Sequence, residues 1–402
     1  MSLIDVQNLT FAYDGSYENI FENVSFQIDT DWRLGFVGRN GRGKTTFLRL
    51  LLGQYPYQGK ISASVDFAYF PYPVEEPERT VAEVAERLSP GGETWELERE
   101  LAGLELDGAV LDRSYGSLSH GERTKVLLAI LFLGEERFLL IDEPTNHLDL
   151  HGREVLSRYL RGKQGYLLVS HDRAFLDRCT DHILSINPSE LQIQKGNFSS
   201  WQENKRRQDQ FELSQSEKLK KEIGRLSGAA RQASQWAGRV EREKYGSQSS
   251  GLRPDRGYLG HKSAKMMKRA KALETRRLDA LREKEELLKN LEHTEDLRIR
   301  PLPFSGRRLA ELKEVSIQYG NLTACKGVSF TIEPGDRIVL QGKNGSGKSS
   351  VLKLLLGEAL SFSGQLTKDS RLNISYVSQD TSRLKGSLTE YAAARGLEES
   401  YL

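Results

Sequence analysis

Gly38-Arg39-Asn40-Gly41-Arg42-Gly43-Lys44-Thr45 follows the strand-like Phe36-Val37 and precedes Phe47-Leu48-Arg49-Leu50-Leu51-Leu52, a helix-forming run that ends at Gly53. Strand, glycine loop, helix is the order that a phosphate-binding loop requires. The glycines let successive amide N–H groups turn inward at a helix N-terminus, a nest suited to a β-phosphate. Lys44 adds a cation that can follow the β- and γ-phosphates, and the Thr45 hydroxyl can ligate magnesium. A single match of this kind arises by chance in long chains.

The chain supplies a second match. Val24-Ser25-Phe26 with Ile28, the glycine loop, and Leu50-Leu51-Leu52-Gly53 recur about 304 residues later. The later copy reads Val328-Ser329-Phe330 with Ile332, then Gly342-Lys343-Asn344-Gly345-Ser346-Gly347-Lys348-Ser349, then Leu354-Leu355-Leu356-Gly357. The chain is therefore a tandem duplication around an insert. Thr46 and Ser350, which follow the two loops, join the predicted nucleotide-binding residues, and Ser349 is the second candidate magnesium ligand.

Companion residues lie where nucleotide chemistry needs them. Phe138-Leu139-Leu140-Ile141-Asp142-Glu143 is an apolar strand ending in two acids, with Asp142 predicted to hold magnesium and Glu143 to polarise a water. Such a strand is ordinary in any α/β protein and counts only through its neighbours. Leu118-Ser119-His120-Gly121-Glu122 precedes it, Pro144-Thr145-Asn146-His147-Leu148-Asp149 follows, and Leu167-Leu168-Val169-Ser170-His171-Asp172 is a further buried-type strand ending in a histidine.

With these residues the sequence resembles an ABC ATPase cassette, with its signature sequence, Walker B strand, D-loop and switch histidine. The resemblance covers residues 3 to about 198 and again 309 to 402. It implies ATP and Mg2+ as cofactors. Ser119, Gly121 and Glu122 would meet the γ-phosphate held by a facing cassette, while His171 would contact that of its own. Tyr13 and Tyr319 stand where the family stacks an aromatic on adenine, although a half-buried strand residue is the equally open reading. Gln379 matches the family's Q-loop glutamine, whereas Phe67-Ala68-Tyr69-Phe70-Pro71 carries Pro71 instead. His120 replaces the usual signature glycine and leaves Ser119 and Gly121 in place.

The insert is helical and basic. Leu219, Ile223, Leu226, Ala230, Ala233, Ala237 and Val240 step alternately by four and three, the spacing of a coiled-coil seam. On the return segment Leu281, Leu288 and Leu291, with Leu278 and Met267, are the candidates for the opposing face, which predicts an antiparallel hairpin. Its tip and the start of its return helix carry Arg253, Arg256, Lys262, Lys265, Lys268, Arg269 and Lys271 against Asp255 alone. Residues 201–300 hold 25 Lys or Arg and 16 Asp or Glu, a net of +9, which leaves −7 elsewhere in a chain of net +2. Composition alone leaves open either a polyanion partner or a solvated helical surface; the tip density favours RNA.

Two cassettes, a helical linker and Glu143-Pro144-Thr145-Asn146-His147-Leu148-Asp149 together resemble the ABC-F proteins. That resemblance implies a ribosomal partner, with the linker reaching toward rRNA and the P-site tRNA region. About 47 residues separate Pro71 from Leu118, which leaves little room for the arm of the family's housekeeping translation factors. The sequence is thus most similar to the ribosomal protection subgroup, active against lincosamides, streptogramin A and pleuromutilins. A transporter ATPase subunit would not normally carry a basic hairpin between cassettes. In a DNA-acting ATPase the coil would split one cassette between loop and signature, whereas here the first is uninterrupted.

The expected architecture is α/β: P-loop ABC ATPase cassettes joined by an antiparallel helical hairpin, with residues 1–200 the first cassette, 201–305 the linker and 306–402 part of a second. Ser119 and Glu143 lie 75 and 99 residues after Lys44, and the same intervals from Lys348 end beyond Leu402. The expectation is a C-terminally truncated second cassette, with a homodimer through first cassettes as one way to complete an active site. No apolar run approaches the roughly 20 residues that cross a bilayer. Cys179 and Cys325 are the only cysteines, and no secretory signal precedes the first strand, so the expected compartment is the cytoplasm.

Overall fold

The computed structural model describes residues 2–16, 18–133, 137–187, 191–243, 256–288, 306–320, 322–378 and 386–394. The chain divides into two compact units, Met1–Leu297 and Arg298–Leu402.

In the first unit the duplicated opening forms a three-stranded antiparallel sheet. Strand β1 (Leu3–Phe11) lies between β2 (Phe21–Asp29) and β4 (Gln58–Ser62). Alternation along β1 turns Ile4, Val6, Leu9 and Phe11 inward, with a register shift between Val6 and Leu9. The second sheet has the order β5 (Asp66–Phe70), β6 (Arg137–Asp142), β7 (Tyr166–Val169), β3 (Arg33–Val37), β8 (His182–Ile186), β9 (Leu191–Lys195). All its pairings are parallel except that of β8 with β9.

Its central strands are apolar throughout because both faces are covered. Phe138 and Leu140 of β6 enter one core with helix α1 (Lys44–Leu51), whereas Leu139 and Ile141 enter the other. This second core is closed by α2 (Val81–Leu88), α3 (Thr94–Gly103), α4 (His120–Leu131), α5 (Leu150–Arg161) and α6 (Arg173–Cys179). The arrangement is of the mixed α/β class, with helices covering a mostly parallel sheet.

Helix α7 (Phe198–Glu243) and helix α8 (Arg256–Leu288) form the predicted hairpin. Asp177 of α6 accepts from the Ser199 amide in the first turn of α7 at 2.7 Å. Every residue of the predicted α7 seam is buried or half-buried, as the four-three spacing requires. The opposing face differs from the expected one at two positions. Met267 and Leu278 are 55% and 47% exposed, whereas Ser263, Ala270 and Ala280 are buried. Small residues win the inner positions because the helices approach closely: the Ser263 hydroxyl donates to the Ala237 carbonyl at 3.2 Å. Leu281 is half-buried; Leu291 and Arg253 lie outside the described residues.

In the second unit β10 (Ala310–Tyr319) pairs with β11 (Leu322–Ile332) and β12 (Ser361–Lys368); α9 (Lys348–Leu356) lies between β11 and β12 in the chain, and α10 (Leu388–Ala394) follows β12. The duplication extends to backbone detail. Asn8 and Glu314 take φ values of 51° and 48° at matching register shifts. Residues 337–341 match β3 in sequence but pair with no strand among the described residues, and Val339 is 85% exposed. No helix among the described residues is long and apolar enough to cross a membrane.

Enlarging a side chain at the hairpin's closest approach should loosen the hairpin. Ala237→Leu is expected to cost about 1–3 kcal/mol, read by chemical denaturation with hydrogen exchange assigning the loss to α7 and α8. Unchanged protection there would contradict the close packing.

Candidate nucleotide site

The loop between β3 and α1 wraps around the side chain of Lys44. Its Nζ, on a residue only 9% exposed, donates to the carbonyls of Gly38 and Arg39 at 2.8 and 3.1 Å. Lys348 repeats this toward Gly342 and Lys343 at 2.8 and 2.7 Å. Gly43 takes φ 94° and Gly347 φ 81°, in the left-handed region. A Cβ on Gly43 would also sit 2.5 Å from Cγ2 of Ile20, so backbone and space both demand glycine. Burial lowers the Lys44 pKa, and the nearby Glu143 and Asp142 carboxylates oppose that shift.

Parallel pairing of β6 with β5 and β7 brings the acids to the loop. Asp142 Oδ2 accepts from the Thr45 hydroxyl at 3.0 Å and from the Tyr69 hydroxyl at 3.2 Å. Tyr69 is a site residue that the motifs miss. Its only sequence trace is the tyrosine at the matching place in the second copy, Tyr376. Burial, reinforced by Asp142, pushes the Tyr69 phenol up to about 12, so it remains a donor at neutral pH.

Glu143 has φ 50°, a left-handed conformation that costs a non-glycine residue about 1 kcal/mol or more. Its Oε1 is buried, makes no hydrogen bond, and lies 3.4 Å from Nε2 of the exposed His171. Burial raises the Glu143 pKa above the ordinary carboxylate range despite the opposing pull of His171. A carboxylate held in this way accepts a proton more readily than an ordinary one.

One cavity of about 380 Å³ gathers Lys44, Thr45, Asp142, Glu143 and His171 with Tyr13, Asn40, Gly41, Gly43 and Thr46. Tyr13 is 41% exposed, packs edge-on against Phe11 and Tyr55, and its hydroxyl lies 2.8 Å from that of Thr46. In the second unit Tyr319 donates likewise to Ser350 at 3.3 Å. Arg39 and Arg42 are exposed on the loop and do not line this cavity. Thr45 and Asp142 offer the hard oxygens that suit a magnesium ion whose remaining ligands are water and phosphate. Lys343, Asn344, Gly345, Ser346 and Ser349 are exposed on the second loop, and the described residues of that unit include no strand equivalent to β6. Gln379 lies outside the described residues.

Ser119, Gly121 and Glu122 do not line the cavity. They begin α4, where Ser119 Oγ accepts from the Glu122 amide at 3.2 Å and Glu122 Oε2 accepts from the Ser119 amide at 2.8 Å. This capping box leaves the Ser119 hydroxyl proton available for another acceptor. His120 packs against His147, ring centroids 5.1 Å apart, joining the start of α4 to the segment after Glu143. Thr145 and Ser170 hydroxyls meet at 3.2 Å beneath that segment.

The family model described as ABC transporter matches residues 21–146 and 325–396, a stretch in each of the two copies. The chain is 31% identical to the ATP-binding protein Uup of Caulobacter vibrioides, over 92% of this chain and 56% of that protein. It is 28% identical to the ribosome protection protein VmlR of Bacillus subtilis, covering 92% of this chain and 64% of that protein. The energy-dependent translational throttle protein EttA of Haemophilus influenzae is also 28% identical, over 90% of this chain and 67% of its own length. The chain thus spans 56% and 64% of the lengths of Uup and VmlR.

Lys44→Ala should weaken ATP binding roughly ten- to hundredfold, since it removes charge-assisted hydrogen bonds to phosphate. Calorimetric titration checks it, and undiminished affinity would remove the phosphate-loop assignment.

Proposed function

We propose that this is an ABC-F protein that binds and hydrolyses ATP to act on the ribosome, and that it protects the ribosome against antibiotics of the peptidyl transferase centre. The observation that carries the reading is the convergence of Lys44, Thr45, Asp142 and Glu143 on one cavity in a unit that also bears a basic helical hairpin. The names of VmlR and EttA support ribosome protection and translation as the setting. We assign residues 1–200 to the first cassette, 201–305 to the linker and 306–402 to second-cassette sequence. The compartment in this reading is the cytoplasm.

In the first cassette Lys44 and the loop amides of Gly41 and Gly43 hold the β- and γ-phosphates, and Tyr13 stacks on adenine. Thr45 and Asp142 hold magnesium, which when bound neutralises phosphate charge. Glu143 accepts a proton from the water that attacks the γ-phosphorus as the bond to the β-phosphate oxygen breaks, giving ADP and phosphate. His171 donates to the γ-phosphate from beside Glu143. The second loop, from Gly342 to Ser350 with Lys348 at its centre, holds a further ATP under Tyr319, with Ser349 toward magnesium and Gln379 as the Q-loop residue.

Ser119, Gly121 and Glu122 lie outside their own cavity, so they serve the γ-phosphate of a facing cassette. Two chains pairing their first cassettes provide one such arrangement.

The hairpin meets rRNA and the P-site tRNA region. Lys262, Lys265, Lys268, Arg269 and Lys271 are exposed and form no ion pair among the described residues. Hydrolysis and RNA binding are therefore separable by mutation.

Glu143→Gln should keep ATP binding and lower hydrolysis by about 10²- to 10⁴-fold, measured as phosphate release from the full protein. Turnover at the parental rate would remove Glu143 from the chemistry. Reversing Lys262, Lys265, Lys268 and Arg269 to Glu should weaken ribosome co-sedimentation and flatten its salt dependence while ATP affinity persists. Equal binding by parent and variant would return these residues to a solvated surface.

A further inference from the structure

Two large aromatic side chains of the hairpin are exposed. Trp236 of α7 is 59% exposed and Tyr258 of α8 is 64% exposed. Tyr258, Lys262, Lys265 and Arg269 step by four, three and four residues, which puts all four on one face of α8. All are exposed, and the three cations form no ion pair among the described residues.

The position of Trp236 follows from one hydrogen bond. Ser263 Oγ donates to the Ala237 carbonyl, and both residues are buried in the seam, so these two turns lie side by side. Trp236 immediately precedes Ala237, and Lys262 immediately precedes Ser263. In an antiparallel pair of right-handed helices, residues one step before facing seam positions turn to the same flank. Trp236 therefore joins the flank of Tyr258, Lys262, Lys265 and Arg269. Aromatic rings interleaved with unneutralised cations along one flank combine a stacking platform with a track for a phosphate backbone.

We infer that this flank binds single-stranded RNA, with unpaired bases stacked on Trp236 and Tyr258 and the backbone held by Lys262, Lys265 and Arg269. The inference rests on the proposed RNA-binding role of the hairpin and specifies what that role reads. A duplex keeps its bases paired and stacked on one another and offers the rings nothing beyond phosphate and ribose. An apolar protein partner would have to neutralise or desolvate the three cations, at a cost that phosphates repay.

The test uses the full chain, a short labelled oligouridylate and a fully paired RNA hairpin, with affinities measured over a range of salt. Trp236→Ala with Tyr258→Ala should weaken oligouridylate binding by roughly tenfold or more, given what each base stack contributes. Its salt dependence and the affinity for the paired hairpin should stay at parental values. Trp236→Phe with Tyr258→Phe should restore most of the loss, which a folding defect or a lost hydrogen bond would not allow. Unchanged oligouridylate affinity in the double alanine variant would overturn base stacking. If the Lys262→Glu, Lys265→Glu, Arg269→Glu variant weakens both RNAs in that case, the hairpin still binds RNA through phosphate. If that variant also binds as the parent does, the RNA-binding reading itself falls.

Discussion

A lysine held almost out of water fixes the geometry of the first cassette. Lys44 donates to two carbonyls of its own loop and faces the carboxylates of Asp142 and Glu143, so its charge is compensated before any phosphate arrives. Helix α1 begins at Lys44, so the loop and the helix N-terminus meet at this side chain. The opposite side of α1 is locked: Phe47, Leu48 and Leu50 are almost fully buried between the two sheets. Close packing of this kind transmits displacement rather than absorbing it. The phosphate cradle is thus as rigid as the core beneath it.

From that cradle a chain of short contacts runs to the hairpin. Asp142 and Glu143 end β6, and His171 follows β7. Thr145 meets Ser170 between them, and His147 reaches His120 at the start of α4. Asp172, beside His171, caps α6, and Asp177 of α6 holds the first turn of α7. Arg173 lies over the ring of Phe198, which in turn packs against Trp201. The candidate site and the base of the long helix are therefore linked through α6, a helix of seven residues.

Local chemistry made the loop, the acids and the duplication legible, because each depends on residue types at fixed spacing. The α7 seam was legible for the same reason. The inner face of α8 was not, since size misled: Met267 and Leu278 look like core residues, yet the buried positions of α8 include the small Ser263, Ala270 and Ala280. Tyr69 was hidden because its partner, Asp142, is distant in sequence and reaches it only through parallel strand pairing. The capping role of Ser119 was legible in the Ser119–Glu122 spacing but was masked, because the same residues matched a phosphate-contact motif.

Helix α7 is 46 residues long, roughly 69 Å at 1.5 Å per residue. Its seam is packed against α8 along its length, through Leu219 and Leu226 toward one end and Ala230 and Ala237 toward the other. The pair therefore behaves as a stiff beam anchored at one end, and mechanical advantage follows from length. A tilt of about 10° at the Asp177–Ser199 junction sweeps the far end of a helix of that rise through roughly 12 Å. A shift at the phosphate end of well under the size of a side chain is geared up, without any further moving part, to the scale of a nucleotide.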